Sequence, residues 1–226
     1  APLDVPEHMR NKTRVVRQSA EMPAESAPGS QARAADSFDV AFVAHARPEK
    51  DPLRAALAAR ALPPSSRIRI LHAGRALSPD VEASLRREMA ENDRYEWLGE
   101  LDTSEALALV VRSKLLVLTS TMEGGANVLG EAVVAGTPPI ASRIAASVAA
   151  LGTDYPGLFS VGDTEGLTRM LVRAEDDPAF YEQLVAATRA RRDLFAPSAE
   201  RAAWQRIIDE LCSPAEVNRS KEICHE

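Results

Sequence analysis

The 226-residue sequence contains no run of about 18 apolar residues, so no segment has the length and uniformity of a membrane-spanning helix. It also lacks any block of lysine and arginine, and its formal net charge of −6 argues against a nucleic-acid surface. Only two cysteines occur, Cys212 and Cys224, without C-x-x-C spacing. With His225 beside the second they offer too few ligands for a metal site, and they read as reduced thiols of a cytoplasmic protein on a loose C-terminal tail. No G-x-G-x-x-G follows the first strong strand pattern, which ranks a nicotinamide-dependent oxidoreductase last among enzyme readings. No internal repeat is present. The opening residues Ala1 to Pro6 carry neither an initiator methionine nor a charged-then-apolar signal pattern, so the chain reads as one that begins mid-protein or is trimmed to this point.

What is present is the composition of a globular protein, 45% hydrophobic and 27% charged, at a length that suits one sizeable α/β domain with extensions. Short apolar runs at residues 38–44, 67–72, 94–98, 114–119, 138–141 and 157–161 predict strands. Helix-length stretches at 52–61, 79–91, 104–112, 127–135, 144–151 and 165–175 separate them. This alternation predicts an α/β fold: a doubly wound parallel sheet of about six strands with helices on both faces. Two more helices close the chain. Asp177 and Pro178 supply a cap and a first-turn proline for one, and Ser198 is the expected cap of the other. In the last helix Trp204, Ile207, Ile208 and Leu211 form an apolar stripe, expected to dock on this domain or a neighbouring one. Near the start, residues 13–17 predict a short strand, and 20–36 is a linker rich in Pro, Ser, Ala and Gly.

In a doubly wound sheet, ligands bind beyond the carboxyl ends of the strands, near the switch in strand order. That rule collects His45 and Lys50 after the first strand, Gly74 and Arg75 after the second, Gly99 and Glu100 after the third, Ser120 to Gly125 after the fourth, and Ser142 and Arg143 after the fifth. The most informative stretch is Glu123-Gly-Gly-Ala-Asn-Val-Leu-Gly-Glu131, followed by the Gly136-Thr-Pro138 break. Gly124 and Gly125 precede a helix expected to begin at Ala126 or Asn127, where backbone amides without side chains in the way can hold a phosphate. A carboxylate suits the hydroxyls of a sugar and repels a phosphate, so Glu123 and Glu131 need places apart from it. Glu131, about 6 Å along the helix axis from Asn127, suits a ribose diol, while Glu123 suits a transferred sugar. Lys50 can offset a diphosphate, with Arg47 and Arg143 as further cations.

Each of these residues also has an ordinary reading. Two glutamates eight apart arise by chance, a glycine pair before a helix is commonly a turn, and Lys50 between Glu49 and Asp51 can be a surface ion pair. His45 either donates to a ligand oxygen or is a satisfied strand-end histidine, and His72 packs and hydrogen-bonds locally. Gly130 inside the helix costs about 1 kcal/mol relative to alanine and suggests close backbone packing.

In order, the stretch from Ala44 and His45 through Lys50-Asp51, Trp97-Leu98-Gly99 with Leu101, Leu118-Thr119-Ser120, Glu123 through Glu131, and Gly136-Thr-Pro138 resembles the donor-binding half of GT-B glycosyltransferases, the family 4-like group. The similarity runs from about Thr13 to Leu211. Within that group, Thr13 through Ala20, Glu49-Lys50-Asp51-Pro52, Met122 through Asn127 and Asp154-Tyr155-Pro156-Gly157 are most similar to the selenosugar synthases of selenoneine biosynthesis. The sequence departs from the wider pattern at Ala44, at Gly125 and Ala126, and at Gly130.

The resemblance implies a Rossmann-like domain forming one half of a GT-B fold. The implied reaction transfers a sugar from a UDP-sugar, UDP-N-acetylglucosamine above all, to selenophosphate. It implies catalytic roles for Glu123, Lys50 and His45. Donor binding would fall to Gly124, Gly125, Ala126, Asn127, Glu131, Arg47, Ser120 and Arg143, with the backbone around Gly99 and Leu101 meeting the nucleobase. No cofactor or metal is expected, since no Asp-x-Asp follows a strand and Lys50 with helix amides can offset the diphosphate. The expected organisation is a connector and last segment of an acceptor domain at 1–36, a donor domain at 37–195, and a final helix with a tail at 196–226. The alternatives are the same enzyme with a glycan, lipid or small-metabolite acceptor, and a non-catalytic nucleotide-sugar-binding module.

Overall fold

The computed structural model describes residues 5–21 and 37–212. A single helical turn, α1 (Glu7–Arg10), comes first. The alternating part then runs β1 (Phe38–Val43), α2 (Arg54–Arg60), β2 (Ile68–Ala73), α3 (Pro79–Glu91), β3 (Tyr95–Gly99), α4 (Thr103–Arg112) and β4 (Leu115–Leu118). It continues through α5 (Asn127–Ala135), β5 (Pro139–Ser142), α6 (Ala145–Leu151), β6 (Leu158–Phe159), α7 (Thr164–Asp176), α8 (Pro178–Arg189) and α9 (Pro197–Leu211). The six strands form one parallel sheet in the order β3-β2-β1-β4-β5-β6. This is the doubly wound, Rossmann-like α/β fold that the alternation of runs predicts.

The central strands explain themselves. A parallel strand covered on both faces must be apolar along its length. All four residues of β4 are buried, and in β1 Val40, Ala41 and Phe42 are fully so. Each large side chain moved from water into this core contributes about 1.5–3 kcal/mol, so the middle of the sheet dominates cohesion. At the margin β6 shrinks to two residues, paired only with β5, where the sequence suggested five.

Side-chain caps set four of the helix starts. Ser78 caps α3, Asp102 and Glu105 form a reciprocal box at α4, Asp163 caps α7, and Asp177 accepts from the amides of Ala179 and Phe180 at α8.

Three expectations are corrected. Ser198 is not the cap of the last helix: α9 begins at Pro197 after Ala196, because the proline's fixed φ and missing N–H favour the first position. Of the two docking places expected for the α9 stripe, the one on this domain is not taken up among the described residues, since Trp204, Ile208 and Leu211 are 52%, 50% and 63% exposed and no residue of α9 is buried. Residues 13–17 form no strand, having no strand to pair with among the described residues. Side chains tie the segment down, Arg14 to Glu210 and Arg17 to the carbonyl of Ala149. Most of the 20–36 linker, along with Cys224 and His225, lies outside the described residues, while Cys212 is a free, exposed thiol.

Candidate functional site

From β1 the sheet is built outward in both directions, through β2 and β3 on one side and β4 to β6 on the other. The segments that follow β1 and β4 therefore leave the sheet side by side at the switch point, where an open crevice forms. After β1 the chain makes a 3-10 turn, Pro48–Lys50, stopped by Asp51 in the left-handed region at φ 44°. That conformation is uncommon for a residue other than glycine. Here Thr119 at the end of β4 holds it, donating its hydroxyl to the carbonyls of Lys50 at 2.8 Å and Asp51 at 3.0 Å. The amide of Thr121 adds a 2.8 Å bond to the carbonyl of Glu49. The two loops are thus stitched backbone to backbone.

The stitching brings Lys50 against Glu123. Their side chains form an ion pair through Glu123 Oε1 and are only 15% and 6% exposed. Ser120 also donates to Oε1, at 2.6 Å, and its own carbonyl accepts from the Ser142 hydroxyl. No hydrogen bond from a described residue reaches Glu123 Oε2. Yet Ser147 Oγ alone is buried and unpartnered among the described residues, so Oε2 remains open to solvent or ligand. Flanking charges are otherwise engaged: Asp51 accepts from Arg54 at 2.7 Å, and exposed Arg47 stands 4.0 Å from Glu49.

Next to the pair, α5 opens bare. Its first residue follows Ala126, which offers no side-chain cap, in contrast to α3, α4, α7 and α8. Leu129 N–H donates to the Ala126 carbonyl at 2.9 Å, while the amides of Asn127 and Val128 have no hydrogen-bond partner among the described residues, and the helix dipole adds partial positive charge there. Gly124 and Gly125 leave the approach open, with nothing crowding the position of a side chain at Gly124. A cavity of about 830 Å³ is lined by 124–127 and by Glu131 one turn on. Glu131 is half-buried with no hydrogen-bond partner among the described residues, and burial pushes its carboxyl above the ordinary carboxylate range. An adjoining cavity of about 690 Å³ is lined by Arg47, Met122, Glu123 and Gly124.

The remaining candidates stand apart from this group to different degrees. Exposed His45 accepts at Nδ1 from the amide of Arg75, 3.1 Å away, which in a neutral imidazole leaves the proton on Nε2 as an outward donor. Behind it Gly74 is obligatory, since a Cβ there would fall 1.8 Å from the carbonyl oxygen of Ala44. Gly99, at φ +74°, spends its carbonyl on the Gly74 amide, and neither it nor Leu101 lines the larger cavity; Thr103 and Leu107 of α4 do. Arg143 donates to the carbonyl of Thr153 and lines a third cavity with Arg169 and Phe159. His72 is buried between Tyr95 and the Ala44 carbonyl, as its sequence context suggested. Sequence reading missed Thr119, a hydroxyl at a strand end like many others, and residues 15–21, which line the large cavity without any periodic signal.

Residues 24–191 match the family model described as glycosyl transferases group 1. No curated protein sequence matches the chain. Among solved structures, the Anabaena protein HepE in complex with UDP and glucose aligns with a TM-score of 0.67 at 20% identity, covering 78% of this chain and 48% of that one. Sucrose-phosphate synthase from Thermosynechococcus elongatus aligns at 0.65 and 25% identity, covering 79% and 46%. A UDP-forming α,α-trehalose-phosphate synthase from Burkholderia xenovorans, in complex with glucose-6-phosphate, aligns at 0.66 and 17% identity, covering 77% and 44%. The chain spans about half the length of these structures.

Proposed function

Because this chain belongs to the group 1 glycosyl transferases, we propose that its carboxyl edge binds a UDP-sugar, UDP-N-acetylglucosamine first, for transfer of the sugar to selenophosphate. The observation that carries the donor half is the Lys50–Glu123 pair at the switch point, beside the uncapped start of α5 and in line with Glu131. The uridine part draws on HepE, whose structure holds UDP. The selenophosphate part draws on the likeness of Met122 through Asn127 and of residues 13–20 to selenosugar synthases.

In this reading the first amides of α5 hold the diphosphate, and Lys50 offsets the charge that grows on it as the glycosidic C–O bond breaks and the electron pair leaves with UDP. Glu123, fixed through Oε1 by Lys50 and Ser120, turns Oε2 toward the sugar hydroxyls. His45 Nε2–H donates to the phosphate or the sugar, and Glu131 accepts from the ribose diol. The acceptor selenium attacks the anomeric carbon and forms the C–Se bond. Neutralisation by Lys50 and amides removes any need for a metal.

Calorimetry with UDP, UDP-glucose and UDP-N-acetylglucosamine on wild type and Glu131→Ala tests the donor half. Loss of a charged hydrogen-bond acceptor should weaken UDP by roughly tenfold, about 1.5 kcal/mol. Equal UDP affinity in the two proteins sinks the ribose assignment. Product analysis with selenophosphate against glycan and lipid acceptors, on a form that carries an acceptor domain, tests the other half. Turnover with those acceptors alone replaces selenophosphate and leaves the donor site standing.

A further inference from the structure

The large cavity that holds Glu131 and the start of α5 has a wall that neither the sheet nor its helices supply. Residues 15–21 run across it, so Gln18 and Ser19 face the same space as Asn127 and Glu131. The segment pairs with no strand among the described residues; four hydrogen bonds and one cation–π contact fasten it to three other places in the fold. The amide and hydroxyl of Ser19 both donate to Glu200 Oε2 of α9, at 2.8 and 2.6 Å. The amide of Ala20 donates to the carbonyl of Phe195 at 3.0 Å. Arg17 donates to the Ala149 carbonyl at the end of α6, and its guanidinium lies over the Phe195 ring.

Phe195 in turn bears on the helix that carries Glu131. A Cβ placed on Gly130 would sit 2.8 Å from Phe195 Cδ1 and 3.0 Å from Cε1, so the ring rests directly on the α5 backbone one residue before Glu131. This is the close packing for which Gly130 is needed. One aromatic side chain therefore touches both the segment that closes the cavity and the helix that presents its carboxylate.

We propose that residues 15–21 are a strap completing the nucleotide cavity, latched by Ser19 to Glu200, and that Phe195 couples its seating to the position of α5 and Glu131. The inference rests on the donor-site reading above and adds to it a wall and two positioning residues, Phe195 and Glu200. Glu200 stays outside the cavity lining, whereas Phe195 is part of it and acts here through the strap and α5. They hold the strap, and the strap and α5 hold the ligand.

A wall that ligand contacts on one side and a latch holds on the other must respond to both. Hydrogen exchange at the Ser19 and Ala20 amides, measured with and without saturating UDP, should slow on binding. In Glu200→Ala those amides should exchange faster without ligand. If unlatching leaves the closed strap about one-tenth populated, the apparent UDP dissociation constant rises about tenfold. Glu200 lies on a helix with no buried residue, so thermal unfolding of the variant should match wild type. Ser19→Ala, which keeps the amide bond and loses the hydroxyl bond, should weaken UDP about threefold, the loss of one modest hydrogen bond. UDP binding by wild type with unchanged exchange at these amides, or with wild-type affinity in Glu200→Ala and Ser19→Ala, overturns the strap and leaves the donor site intact. Absence of UDP binding by wild type overturns both.

Discussion

Two ion pairs in this molecule bury their carboxylates alike, Glu88 at 7% and Glu123 at 6% exposure, and differ elsewhere, beginning with cations that are 39% exposed at Arg60 and 15% at Lys50. On the flank of the sheet, Arg60 of α2 meets Glu88 of α3 through two parallel bonds of 2.8 Å, and Glu88 also accepts from Asn92 at 2.7 Å. Asn92 reaches the Ala56 carbonyl, and Arg60 extends to Glu91. Burial alone would push the Glu88 carboxyl up, but the bonds from Arg60 and Asn92 outweigh it and leave it below its ordinary value. Both carboxylate oxygens are spent. At the switch point, Lys50 and Ser120 converge on one oxygen of Glu123 and leave the other open. Saturation fastens two helices; a half-used carboxylate, held firmly at the mouth of a cavity, is arranged for something that arrives.

A crossed pair of substitutions separates the structural ion pair from the one at the switch point. Glu88→Ala removes three charged hydrogen bonds from a buried site and leaves the Asn92 amide with one of its two partners, the Ala56 carbonyl, which should destabilise the fold by about 3 kcal/mol. In urea unfolding the midpoint should fall while UDP-sugar affinity of the folded fraction holds. Glu123→Ala should do the reverse, weakening UDP-sugar binding by roughly 100-fold with a smaller loss of stability. If the two variants show the same profile, location at the carboxyl edge does not separate a functional pair from a structural one.

A second contrast sharpens the first, between two histidines near the same edge. His45 is exposed, while His72 is wholly buried, its Nδ1 2.7 Å from the Tyr95 hydroxyl and its Nε2 3.0 Å from the Ala44 carbonyl. Burial pushes the His72 imidazole down to about 4, against an ordinary 6.5. Between those values the unfolded chain binds a proton that the native chain refuses, so stability is lost as pH falls from 6.5 toward 4. The loss should approach roughly 3 kcal/mol. Urea titrations at several pH values should show this slope in wild type and not in His72→Phe. A slope that survives the substitution assigns it to other groups.

Much of this was legible in the sequence, and the physical reason divides what was from what was not. Parallel strands buried on both faces must be apolar runs, so β1, β2 and β4 could be read directly, and the switch-point rule then set Lys50 beside the loop that bears Glu123. Local rules also gave the start of α5 at Asn127 and the Asp177 cap. Contacts between segments far apart in sequence left no such trace. Nothing in the stripe of Trp204, Ile208 and Leu211 tells that α9 keeps it exposed, and nothing in Gln18 and Ser19 tells that they close a cavity. Ser120 fell on the right loop, yet only the structure shows its hydroxyl turned onto Glu123.

Glu131 stands at the opposite extreme from Glu88, a carboxylate with no hydrogen-bond partner among the described residues. Glu131 carries its charge in a half-buried place where nothing compensates it, and desolvation raises its folded-state value above the ordinary 4.5. From 4.5 upward, through that window, the native chain binds more protons than the unfolded one, so wild-type stability falls as pH rises. Glu131→Gln removes the term. It should match wild type near pH 4 and exceed it at pH 7, by the roughly 0.5 kcal/mol typical of partly exposed substitutions. Saturating UDP should then invert the order, because a ligand stabilises in proportion to how tightly the native state binds it, and the amide offers one acceptor oxygen where the carboxylate offers two. A thermal-shift titration over pH, with and without UDP, reads both signs. A Gln variant that is less stable than wild type without ligand means that Glu131 has a structural partner after all. The unpaired carboxylate would then belong with Glu88 rather than with Glu123.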